Sequence, residues 1–77
     1  MARPFRVALH QHGQIDVSFQ TCETPEEALA AHIASESPDD GVHEVSITDA
    51  GRAALGCVVD LRRGEVLSVR PRPMAAA

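Results

Sequence analysis

His10 and His12 are the closest this chain comes to a metal-ligand pair. Two positions apart on a regular strand, both imidazoles would share one face, and His43 or Cys22 could complete a zinc set. Two features count against it. His12 falls where the chain must turn, just before Gly13, and no C-x-x-C or second spaced pair follows. Other chemistry is equally thin. There is no Gly-rich phosphate loop and no nucleophile elbow. Asp39 and Asp40 are adjacent but have no matching acid elsewhere, so they read as loop solubilisers. Cys57 reads as a core thiol, and His32 as a partly buried packing residue. The expectation is a protein without catalytic residues, metal or cofactor.

Binding is the chemistry that remains. All seven basic residues are arginine. Between Val7 and Gly51 there is no arginine and there are nine acids; from Arg52 onward five arginines face only Asp60 and Glu65. A chain divided this way orients a partner on approach. The guanidinium fork matches phosphate or carboxylate. Arg52, Arg62, Arg63 and Arg70 are the candidate partner-binding residues, with Arg62 and Arg63 at a turn tip and Arg52 and Arg70 toward the other end of the same hairpin. The net charge of −4 disfavours strong direct binding to a duplex, whose non-specific affinity comes from phosphate neutralisation. With no Trp or Tyr and only Phe5 and Phe19 aromatic, bases have no stacking platform. A protein or nucleoprotein partner fits better.

These residues need elements to hold them. Phe5, Val7 and Leu9 alternate with polar or small neighbours, as do Ile15, Val17 and Phe19, then Val45 and Ile47, then Leu55 to Leu61, then Leu67 and Val69. Period-two alternation predicts five strands. Three loops end in glycine: Gln11-His12-Gly13, Asp49-Ala50-Gly51 and Arg62-Arg63-Gly64. Read as three-residue hairpin loops with the glycine left-handed, they pair Leu9 with Ile15, Val7 with Val17, Phe5 with Phe19, Ile47 with Ala53, Val45 with Leu55, Val59 with Leu67 and Cys57 with Val69. Between the first hairpin and the rest, Thr24 as N-cap, Pro25 at the first helical position and Glu27 as the capping-box partner predict a helix from about Pro25 to Glu36, its inward stripe led by Leu29 and Ile33. Ser37-Pro38 ends it.

The expected fold is α+β: a β-hairpin, one helix and a three-stranded meander in a five-stranded antiparallel sheet, with the helix packed on one face. It forms a single domain over residues 1–77, with a flexible tail from about 71 to 77. The other face should carry Ala8, Ser18, Ser46, Thr48, Ala54, Gly56, Val58, Val66 and Ser68, a mild surface through which copies could associate. Two cysteines make no disulfide framework. No signal-peptide core or membrane-length apolar run occurs, so a cytoplasmic, non-membrane protein is expected.

The helix end "HIASES" and the meander "HEVSITDAGRAALGCVVDLRRGEV" are similar to parts of small phage-encoded anti-CRISPR proteins, in particular inhibitors of type I surveillance complexes. The resemblance covers about Thr24 to Val69 and rests on element order and short fragments. It implies a non-enzymatic protein that docks on the backbone subunits of the complex and blocks pairing of target DNA with the guide RNA, in the host cytoplasm. Arg52, Arg62 and Arg63 are the matching basic candidates. The chain departs from that family in having no Lys and a net negative charge. The alternative is a small cellular regulatory or accessory module, antitoxin-like or self-associating.

Overall fold

A computed structural model describes residues 1–74. Five strands and one helix follow in the order β1 (Arg3–Gln11), β2 (Gln14–Cys22), α1 (Pro25–Glu36), β3 (Gly41–Asp49), β4 (Arg52–Arg62) and β5 (Glu65–Pro71). The strands form one antiparallel sheet in the order β2-β1-β3-β4-β5. Because β1 runs antiparallel to both β2 and β3, those two run parallel to each other. A hairpin turn cannot join them, and α1 supplies the crossover. It therefore packs mainly on β2 and β1.

The helix begins as its sequence dictates. Thr24 is extended and its Oγ1 accepts a hydrogen bond from the Glu27 amide at 3.2 Å. Pro25 opens the first turn, where an amide proton would be unpaired anyway. At the other end Ser37 turns left-handed (φ 46°) and its amide donates to the Ile33 carbonyl. Ala28, Leu29 and Ile33 meet Phe5, Val7, Leu9, Val45, Ile47, Cys57, Val59 and Leu61 in one core.

The hairpins differ from the expected loops. His12-Gly13, Ala50-Gly51 and Arg63-Gly64 are two-residue turns with both residues at positive φ (51° and 73°, 50° and 81°, 54° and 79°). This is the type I′ geometry, whose twist matches that of the flanking strands. The three glycines are left-handed as expected, but the pairing moves. Leu9 lies opposite Asp16, Val7 opposite Ser18 and Phe5 opposite Gln20. A shift of one residue reverses the faces of a strand, so Ile15, Val17 and Phe19 point away from the helix.

The other two hairpins each carry a bulge. Thr48 pairs with Ala53 and Ile47 with Leu55, which leaves Ala54 as the extra residue. Leu61 pairs with Val66 and Asp60 with Ser68, leaving Leu67 extra. One inserted residue offsets the one-residue shift of the turn. The apolar row Leu55-Cys57-Val59-Leu61 thus returns to the core side. Val45 faces Cys57 and Val59 faces Val69, each two places from the expected partner.

Two members of the expected outer face are therefore corrected. Ser18 and Val66 pair with core residues Val7 and Leu61 and lie on the helix side, while Ile15, Val17 and Phe19 join the open face. Beyond Pro71, the Arg72 amide donates to the Gly56 carbonyl at 2.7 Å, and the Met74 side chain lies against Gly56. The first residues of the expected tail thus stay on the sheet; the rest of it lies outside the described residues.

Candidate functional site

Three of the four arginines expected to bind a partner, Arg62, Arg63 and Arg70, lie at the free edge of the sheet. β5 has no neighbour on its outer side and every residue in it is exposed. Val66, Leu67 and Val69 present apolar side chains there. Arg62 pairs across the ladder with Glu65, and Arg70 with Val58. Arg62 is thus four positions beyond the level of Arg70, about 13 Å at the strand rise. Arg52 lies at the far end of β4, opposite Asp49, about 30 Å from Arg62 by the same measure. The structure brings Arg62, Arg63 and Arg70 to one edge and leaves Arg52 beyond the end of it. Arg72, at the end of that edge, forms an ion pair with Glu44.

What fixes the tip was not read from the sequence. Asp40 Oδ1 accepts the Arg63 amide at 2.7 Å. Its neighbour Asp39 holds the opposite hairpin: its amide donates to Gln11 Oε1 and its carboxylate accepts from His12 Nε2, both at 2.7 Å. The Asp39 carbonyl also accepts from His43 Nε2 at 2.7 Å. The two adjacent acids are structural ties between the β1–β2 and β4–β5 turns rather than loop solubilisers. The signal was available in the topology: turns at residues 12–13 and 63–64 and the start of β3 all fall at one end of an antiparallel sheet.

The histidines disperse. His10 is exposed on the open face, His12 is in a turn bonded to Asp39, and His43 is buried beside the same loop. Among the described residues, no three His, Cys, Asp or Glu side chains gather as a metal site requires. His32 is buried completely rather than in part. Its Nδ1 shares a hydrogen bond with Ser18 Oγ, to which Gln20 Nε2 also donates at 2.9 Å. Its Nε2 has no partner among the described residues. Burial lowers its pKa below the ordinary value; the nearby carboxylates of Glu36 and Asp16 work in the opposite direction. Cys22 and Cys57 are free thiols, and burial raises the pKa of Cys57. Among the described residues no helix is long and apolar enough to cross a membrane.

The chain matches no protein-family model, no curated protein and no solved structure.

Proposed function

We propose that this protein is a non-catalytic inhibitor that docks on a protein or nucleoprotein complex through its β5 edge. The supporting observation is the make-up of that edge: an unpaired strand, apolar in the middle, with Arg62 and Arg63 at one end and Arg70 at the other. Unpaired backbone groups let an extended segment of a partner add as a sixth strand. The guanidinium groups then meet carboxylate or phosphate at its two ends. Following the resemblance of the helix end and meander, the target proposed is a type I CRISPR surveillance complex. The expected consequence is loss of target-DNA binding by that complex.

The test is target-DNA binding by type I complexes from the host range of the protein, with and without it. Inhibition by the wild type and its loss in Arg62→Glu with Arg63→Glu and Arg70→Glu supports the reading. No inhibition by the wild type removes the anti-CRISPR target. A cellular accessory module, the competing class, differs in one observable: its partner co-purifies from the host of the protein itself.

A further inference from the structure

Among the described residues of the sheet, Phe19 is the most exposed large apolar side chain, at 69%. The register of the first hairpin puts it on the open face, opposite Arg6 on β1, and Arg6 is in turn opposite Thr48 on β3. Pro4, two residues before Arg6 on the same strand, shares their face. The surface is concave here. A cavity of about 400 Å³ opens between Phe19 on one side and the Ala50-Gly51 turn on the other, lined between them by Pro4, Arg6 and Thr48, with Arg3 and Asp49 completing it. The tail segment that crosses Gly56 stays clear of it: neither Arg72 nor Met74 lines the cavity.

The two arginines of the cavity are not equivalent. Arg3 is committed, because its guanidinium pairs with Asp49 at 2.9 Å and lies over the Phe5 ring, 5.1 Å from the centroid. Arg6 has no ion-pair partner among the described residues. The cavity therefore holds one uncompensated positive charge, with a hydroxyl at Thr48 beside it and apolar walls at Phe19 and Pro4.

We propose that this cavity binds a small aromatic monocarboxylate. One free guanidinium fork matches one carboxylate through two parallel hydrogen bonds. A dianion such as a phosphate ester would find no second free cation, since Asp49 already holds Arg3. The Thr48 hydroxyl is a further donor for the same carboxylate. Phe19 lies directly across the strand pair from Arg6, so a ring attached to the carboxylate meets the Phe19 ring, in offset or edge-to-face contact. A cavity of about 400 Å³ is at the small end of ligand pockets, which suits one or two rings. The site is independent of the proposed docking edge, because β2 and β5 are opposite edges of the sheet.

Amide chemical-shift titration with cinnamate, and with its neutral counterpart cinnamamide, tests the site. Cinnamate should saturate the wild type with a dissociation constant of about 5 mM or tighter, the affinity that about 11 non-hydrogen atoms give at ordinary ligand efficiency. The largest shifts should fall at Arg6, Phe19, Thr48 and Gly51. Cinnamamide should bind about tenfold more weakly, the worth of a hydrogen bond to a charged group. Arg6→Gln should weaken cinnamate to the level of the amide and leave the amide itself little changed. Phe19→Ser should weaken both ligands. Neither side chain is part of the core, so both variants should keep the wild-type circular dichroism spectrum. Absence of saturable cinnamate binding by the wild type overturns the proposal. So does equal affinity for acid and amide, an unchanged cinnamate affinity in Arg6→Gln, or a set of shifts centred on β5.

Discussion

Ser18 Oγ and His32 Nδ1 share a hydrogen bond between β2 and α1, with the imidazole fully buried. A buried ring at a helix–sheet contact is a pH-dependent joint, because protonation there loses its hydration. The folded pKa of His32 is depressed, with desolvation outweighing the attraction of Glu36 and Asp16. The unfolded chain therefore takes up the proton first. Stability contributed by the neutral ring is fully present above the unfolded value of about 6.5 and falls as pH drops through it. One proton gives a slope of at most about 1.4 kcal/mol per pH unit. Chemical denaturation between pH 8 and 5 should show this loss, and His32→Gln should remove most of it. An equal slope in the variant would assign the pH dependence to other groups.

Leu29 and Ile33 are the large apolar side chains that α1 contributes to the core, beside Ala28. Either residue replaced by Ala should cost about 2–5 kcal/mol, a large part of the stability of a domain this size. Thermal unfolding reads this directly. A melting temperature within error of the wild type would mean that α1 does not close the core.

Ala50 occupies the first position of a type I′ turn at φ 50°. Left-handed backbone costs an L-residue with Cβ roughly 1–2 kcal/mol, and asparagine tolerates it best. Ala50→Asn makes the favoured Asn-Gly turn and should stabilise by about 0.5–1 kcal/mol, raising the melting temperature by several degrees. Gly51→Val, at φ 81°, should act in the opposite direction, since a β-branched residue there is a steric outlier. A lowered melting temperature for Ala50→Asn would show that the turn is not limited by backbone strain.

These turns also explain how much could be read from sequence. The helix was legible to its ends, because Thr24, Pro25, Glu27 and Pro38 each act locally. The face of β3 and the row from Leu55 to Leu61 on β4 were legible too, since a turn error of one residue and an added bulge residue together leave a shift of two, which preserves the face; between each turn and its bulge the shift stays at one, and there Ala53 and Val66 exchange faces. In the first hairpin no bulge compensates. The two-residue turn at His12-Gly13 puts Asp16 rather than Ile15 on the helix side, which brings the Ser18 hydroxyl beneath His32 on α1. That is a contact 14 residues away in sequence, which alternation does not encode. The same holds for Asp39 and Asp40, whose roles depend on turns more than 20 residues distant.

The last prediction separates binding from folding at the arginine tip. The turn is held through backbone: the Arg63 amide donates to Asp40, and Gly64 supplies the positive φ. The side chains of Arg62 and Arg63 are exposed. Exposed charges outside such ties change stability by no more than about 0.5 kcal/mol, so Arg62→Glu with Arg63→Glu should leave the melting temperature nearly unchanged. Asp40→Ala, which removes the acceptor, should cost about 0.5–1.5 kcal/mol, the usual net worth of a hydrogen bond. If this edge is the docking surface, the order reverses in a binding assay. The charge-reversed pair should weaken inhibition of the target complex strongly, and most at low salt, where attraction between exposed charges is least screened. Full inhibition by the double variant, with its melting temperature preserved, would take the tip out of the interface and leave Arg52 and Arg70 as the basic residues to test.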